Sequence, residues 1–569
     1  MTNPKFENLL NLSLDATDSE REKSMELMEG YSKKERSWEL IVKTTGDLAP
    51  FFGRFPTISG KQLRFDYAIL EVPESLLDMV AAAPEITYAE KPKRLFFSEL
   101  QGSKASCISP LQTAAYHLTG KGVLIAILDS GIDYTHPDFR NPDGSSRILY
   151  LWDQSLGKTF DQTELNEALK AGNESGSFAL VPSRDLSGHG THVAGICAGN
   201  GSASKGEYRG VAYESSLLIV KLGTPKEDAF PRTTELMEAL DFVMEKALEL
   251  IMPLVINISF GNSYGSHSGS SLLETYINAM ANDWKNSIII GTGNEGSGKG
   301  HTAGILTNGE TREIELAVGD YESSLNVQVW KSYSDDFDIS IIHPNGKTIG
   351  PIQQILGPER LILESTKLLI YYGEPSPYSL YQEIYIDFLP ERDYLDSGIW
   401  KLVLVPRRIA KGHYDLWLPG SAVLNASTGF LYPSPNITLT IPSTAEKAIS
   451  VGAYDSRYGQ LADFSGRGYT WQTKQVKPEL SAPGTAITSC APGGGYAIKS
   501  GTSMATPFVT GTAALLMQWG IVEGNDPFLY GEKLKAYLIR GAKPLSVMKE
   551  YPNPALGYGV LCARDSLPI

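Results

Sequence analysis

Three short stretches supply a carboxylate, an imidazole and an alcohol. The first is Gly501-Thr502-Ser503-Met504-Ala505-Thr506-Pro507, followed by Phe508-Val509-Thr510-Gly511-Thr512-Ala513-Ala514-Leu515-Leu516-Met517. The run is small and apolar, as in a helix packed on nearly all sides, and it sets Ser503 in the first helical turn. There, partial positive charge and free N–H groups stabilise an oxyanion formed beside the serine. A serine in that place often only caps a helix, so the other two stretches decide the reading. Val123-Leu124-Ile125-Ala126-Ile127-Leu128-Asp129 reads as a strand buried on both faces of a parallel sheet. Its aspartate stands at the C-terminal end, where open α/β sheets place their active sites. Ser187-Gly188-His189-Gly190-Thr191-His192 puts a histidine just before a helix of small residues.

In the order Asp, His, Ser, the three stretches resemble the subtilisin-type serine peptidases. Further matching segments occur in family order: 218–221, 255–261, 291–296 and 481–484. The resemblance covers roughly residues 105–300 and 440–540. It implies Ser503 as nucleophile, His189 as general base and Asp129 as the group that orients it. It implies Asn294 as a side-chain donor to the tetrahedral oxyanion. Ser259, Phe260 and Gly261 would pair with extended substrate, and Gly291, Thr292 and Gly293 would wall the primary specificity pocket, with Thr502 also in the binding set. Phe260 stands where the family usually has an aliphatic residue. His136 and His192 are expected to support structure.

Net charge is −15 over 569 residues, which argues against a nucleic-acid surface and leaves no polybasic membrane patch. No secretory signal is legible at the N-terminus and no apolar run reads as a membrane span. The expectation is synthesis in the cytoplasm and action either inside a cell or spore or after exit by a route the sequence does not show, as a monomer with no membrane or nucleic-acid partner. Cys107, Cys197, Cys490 and Cys562 lack C-x-x-C spacing and are expected as free thiols. The loop 199–208 has one carboxylate and a lysine, so no calcium is expected there, and no metal or cofactor elsewhere.

The expected fold is α/β, a subtilisin-like parallel-sheet domain in two parts, 101–300 and 443–569. Before it, residues 1–35 form a helical or loosely ordered arm. Strands at 38–43, 67–72 and 86–90 interleaved with helices at 47–55 and 74–82 suggest a ferredoxin-like α+β unit. Together, 1–100 resemble the family's inhibitory prodomain, whose tail would lie in the cleft. Self-cleavage would fall near Glu99, Leu100 or Gln101. Residues 181–185 look like surface loop. Residues 301–442 lose helical periodicity and show short Val/Ile/Tyr/Trp runs between turns, as in an inserted β-sandwich or jelly roll.

This architecture resembles the clostridial Csp germination proteases. It implies a serine endopeptidase that removes its own prodomain and then activates a protein substrate, the pro-form of a spore cortex-lytic enzyme. The alternatives are a self-processing regulatory protein that stays occluded by its prodomain, and a general degradative peptidase.

Overall fold

In a computed structural model of the chain, residues 3–93, 96–97, 105–113, 115–223, 231–355 and 357–568 are described. The apolar run ending at Asp129 forms the strand Leu124–Asp129, buried at every position. It is apolar up to Asp129 because it is enclosed. Ser216–Lys221 and Leu254–Ile258 pair with it in parallel on either side. Beyond Leu254–Ile258 the parallel order continues through Asn286–Gly291, Ile449–Asp455 and Leu480–Pro483. On the other flank it passes to Ile148–Asp153, and Lys158–Asp161 and Gln460–Leu461 add antiparallel edges.

Two helices of small residues belong to this sheet's core. His189–Ala198 is buried at all ten positions. Thr502–Met517 is buried at every position but Phe508. Glycine makes the close packing possible: a Cβ on Gly511 would stand 2.4 Å from Val211 Cβ. The stretch Thr502–Val522 is long and apolar enough to cross a membrane by composition, but most of it is enclosed by the protein. Its apolarity is that of a core helix, which must match a buried sheet on more than one side.

The expectation of four free thiols is overturned. Cys107 and Cys562 form a disulfide across 455 residues of sequence, with Cα atoms 4.8 Å apart. The C-terminal stretch explains the approach. Leu561 N–H donates to Ser481 O at 2.8 Å and Ala563 N–H to Ser106 O at 3.0 Å. Those bonds bring Cys562 to the start of the peptidase part of the chain, a proximity no local spacing can announce. Cys197 and Cys490 are free and buried.

By its contacts the chain divides into two units, and the sheet just described belongs to Leu95–Gly261, Leu273–Ser297 and Asn436–Ile569. The other unit joins Met1–Arg94, Asn262–Leu272 and Gly298–Pro435. Its N-terminal sheet runs Ile86–Glu90, Ser37–Thr44, Tyr67–Pro73, Ser59–Leu63, antiparallel throughout. With helices Ala49–Arg54 and Leu77–Ala82 between strands, this is the ferredoxin-like order. The strand Ser59–Leu63 escapes the sequence because four of its five residues are exposed polar or glycine.

The later part of this unit is a β-sandwich. One sheet contains Leu325–Ser332, Tyr381–Pro390 and Thr366–Tyr372; the other contains Asp336–Ile342, Gly398–Arg408 and Arg312–Val318. Val327, Ile370 and Ile386 from the first share one core with Ile339, Leu402 and Trp400 from the second. The N-terminal arm is folded, with helices Asn8–Asp15, Asp18–Lys23 and Met25–Met28. Leu9, Leu12 and Leu27 pack with Leu369, Tyr371 and Leu389 of the sandwich. Arg360 Nε donates to Glu20 Oε1 at 2.9 Å. Burial opposes the charged form of Glu20, but hydrogen bonds from Arg360 and Lys367 hold its pKa at about 2. The arm's many charges look like disorder in sequence; they are ordered by partners more than 300 residues away.

Alkylation in denaturant without reductant, read by mass spectrometry, is expected to modify only Cys197 and Cys490. Modification of Cys107 and Cys562 as well would show the bridge is not formed.

Candidate active site

Sheet geometry places the carboxylate first. Asp129 ends its strand fully buried. His189 opens the helix His189–Ala198, and its Nδ1 lies 2.7 Å from Asp129 Oδ1. The helix can come this close because Gly190 has no side chain. A Cβ there would stand 2.1 Å from Gly131 O and 3.1 Å from Asp129 Cβ. With Nδ1–H donated to the carboxylate, Nε2 is the basic nitrogen of the neutral ring. Burial disfavours the imidazolium, but attraction to Asp129 and the hydrogen bond donated to it outweigh burial, so the His189 pKa lies above the ordinary histidine value. Lys499 pushes it down and Asp185 pushes it up.

Ser503 follows Thr502, the first residue of its helix. Thr502 N–H donates to Asn294 Oδ1 at 3.0 Å, and Met504 N–H to Gly501 O at 3.1 Å. The Ser503 N–H lies between them in the first turn, where no earlier helical carbonyl exists to receive it. The Ser503 hydroxyl donates to Ser259 O at 2.8 Å.

Asn294 is held by its oxygen. Thr502 donates to Asn294 Oδ1 from its N–H and, at 3.3 Å, from its hydroxyl. That hydroxyl also accepts Gly293 N–H at 3.0 Å. Fixing the carboxamide oxygen reserves the NH2 end for another acceptor. Sequence reading put Thr502 among binding residues; its bonds make it the clamp on Gly293 and Asn294.

Phe260–Gly261 carries a segment of the chain itself. It pairs antiparallel with Phe96–Phe97, in the register Phe260↔Phe97 and Gly261↔Phe96. Glu99, Leu100 and Gln101 lie outside the described residues. Gly291 ends a sheet strand, Thr292 N–H donates to Val451 O at 3.1 Å, and Gly293 O accepts Gly466 N–H at 2.8 Å. Gly261 and Gly293 both face Thr440, a residue the sequence did not single out. A Cβ on Gly261 would be 2.7 Å from Thr440 Oγ1, and one on Gly293 would be 2.3 Å from Thr440 Cγ2. Thr440 thus fills space between the expected substrate-pairing strand and the expected pocket wall.

The two other histidines are structural. His192 Nε2 bridges Ile487 O and Ala497 O at 3.0 and 3.1 Å, and burial lowers its pKa to about 3. His136 Nε2 meets Gly495 O at 2.9 Å while Nδ1 accepts Asp138 N–H at 3.1 Å. The surface-loop reading of 181–185 is corrected in part: Pro182 and Arg184 are exposed, but Val181, Ser183 and Asp185 are buried. Polar composition suggested solvent, but the Asp185 carboxylate is enclosed by donors from its own loop and the next helix.

Comparison with known proteins agrees with this geometry. A family model described as the Csp protease B prodomain matches residues 4–93, and that of the subtilase family matches residues 120–358 and 427–559. Among solved structures, the Clostridium perfringens CspB protease is 41% identical, with a TM-score of 0.76 over 81% of this chain and 95% of that one. The minor extracellular protease Vpr of Bacillus subtilis is 26% identical over 530 residues, 86% of this chain. The PII-type proteinase of Lacticaseibacillus paracasei is 25% identical over 509 residues, 81% of this chain. The chain spans 58% of the former's length and 25% of the latter's. It belongs to the subtilase family, with a prodomain of the Csp protease B type ahead of a subtilisin-like peptidase fold.

Proposed function

We propose that the chain is a serine endopeptidase that cuts itself near Glu99–Gln101 and then cuts a second protein. In this reading Ser503 is the nucleophile, His189 the base, Asp129 its orienting partner and Asn294 an oxyanion donor. The observation that carries it is the pairing of Phe96–Phe97 with Phe260–Gly261. An extended piece of this chain lies as a substrate would, on a strand preceded by Ser259, whose carbonyl holds the Ser503 hydroxyl.

The bonds suggest how attack is timed. Continued antiparallel pairing makes the Ser259 carbonyl an acceptor for a substrate N–H. A substrate that takes that carbonyl releases the Ser503 hydroxyl, which turns to His189 Nε2. Ser503 Oγ then attacks the scissile carbonyl carbon as His189 takes its proton. Asp129 stabilises the imidazolium. The oxyanion receives the Ser503 N–H and the Asn294 NH2; a single such donor contributes about 3–4 kcal/mol in a transition state. His189 returns the proton to the leaving amine, and water repeats the sequence on the acyl-enzyme.

Thr440, between Gly261 and Gly293, makes the primary pocket shallow and favours a small side chain before the cut. The physiological substrate we assign is the pro-form of a spore cortex-lytic enzyme, with the spore as location. This rests on the Csp-type prodomain and the likeness to the C. perfringens CspB protease. The seated strand equally favours a second reading, in which self-cleavage occurs once and the tail keeps the cleft closed.

N-terminal sequencing of the purified protein is expected to find a new terminus within 99–102, absent in Ser503→Ala. An identical cut in Ser503→Ala would remove Ser503 as nucleophile. Turnover of an added unfolded protein favours the first reading, and self-cleavage without it the second. With peptide libraries, Thr440→Gly is expected to raise cleavage after large residues by roughly tenfold or more, as about 1–3 kcal/mol of pocket discrimination allows. An unchanged preference would show that Thr440 does not bound the pocket.

A further inference from the structure

Resting on the assignment of His189 as base, we infer that Asp185 is a second carboxylate of the site: a positioning residue that fixes the first turn of the His189 helix against the Asp129 strand. Asp185 is 5% exposed and its two oxygens divide the work. Oδ1 accepts Gly188 N–H at 2.9 Å, the Ser130 hydroxyl at 2.8 Å and the Ser187 hydroxyl at 3.3 Å. Oδ2 accepts Thr191 N–H at 2.8 Å and the Thr191 hydroxyl at 2.7 Å.

The two serines extend this reach. Ser187 Oγ accepts His189 N–H at 3.1 Å, and Ser130 Oγ accepts Gly190 N–H at 3.0 Å. Every orphan donor from Gly188 to Thr191 is therefore met, directly or through one hydroxyl whose proton can end on Asp185. Ser130 is also the residue after Asp129, and its N–H donates to Asp129 Oδ1 at 2.7 Å. One carboxylate thus ties the carrier of the imidazole to the carrier of its partner. The network is buried and filled, so loss of one acceptor leaves several donors unmet at once.

Asp185 also acts by charge. The groups bearing on the His189 ring are Asp129, Asp185 and Lys499, with the His192 ring one turn along the helix. Asp129 and Asp185 favour the imidazolium and Lys499 opposes it. A purely structural cap would set the ring's position and leave its titration unchanged.

The test uses full-length protein carrying ¹³Cε1-labelled histidine in a Ser503→Ala background, so it needs no turnover. The His189 resonance, assigned with His189→Gln, is followed with pH. Asp185→Asn keeps the shape, removes the charge and replaces an acceptor with a donor. It is expected to move the His189 titration to lower pH. In the Ser503 protein it should slow fluorophosphonate labelling roughly 10- to 100-fold, the scale of a small misplacement of reacting groups. An unmoved titration, or labelling as fast as the parent, overturns the inference. Ser130→Ala, which keeps the charge and deletes one bridge, is expected to slow labelling without moving the titration. Equal labelling in that variant counts against the network even if Asp185→Asn does not fold. A parent that does not label at all counts instead against the assignment of Ser503, and leaves the titration to judge Asp185.

Discussion

The 2.7 Å contact between His189 Nδ1 and Asp129 Oδ1 is the bond on which the rest of this structure converges. Both groups are fully buried. A buried carboxylate left without its partner would cost about 3–5 kcal/mol, so strand and helix must be fixed before the pair is worth making. The parallel sheet fixes the strand by enclosing it on both sides. Gly190 fixes the helix by allowing its backbone against Gly131 O. What the bond supplies is a defined tautomer with a basic Nε2, the nitrogen that the proposed attack by Ser503 requires.

The same economy of contacts governs the Asn294 side. Thr502 holds Gly293 and Asn294 with one hydroxyl and one N–H, and it is also the residue before Ser503. The helix that carries Ser503 therefore sets the position of the Asn294 amide. The Asn286–Gly291 strand ends three residues before Asn294, and its sheet partner Ile449–Asp455 comes from far along the chain. A sandwich can occupy the intervening sequence because the two ends are pinned by neighbouring strands. The cost of closing so long a loop grows only with the logarithm of its length.

Much of the site was legible because its residues sit in local contexts that serve chemistry and folding together. The Asp129, His189 and Ser503 motifs are each local in sequence, and the apolar run before Asp129 announces enclosure on two faces. The sandwich strands showed themselves as short runs rich in Val, Ile, Tyr and Trp between turn signals. What escaped depends on distant partners. The Cys107–Cys562 bridge joins residues 455 apart. The charged arm is ordered by Arg360 and Lys367. Asp185 reads as loop because its polar composition is the same whether its donors are water or protein. Thr440 belongs to no motif and gains meaning only where Gly261 and Gly293 come to face it.

The most direct measurement of the central bond is proton NMR of the far-downfield region, where a proton held between an imidazole and a carboxylate resonates apart from all amides. The pairs His301–Asp415 and His343–Asp396 meet through Nε2, so the resonance expected from His189 is one coupled to a histidine Nδ1 and lost in both Asp129→Asn and His189→Gln. Its survival in Asp129→Asn, or the lack of any Nδ1-coupled resonance in the parent, would contradict the account.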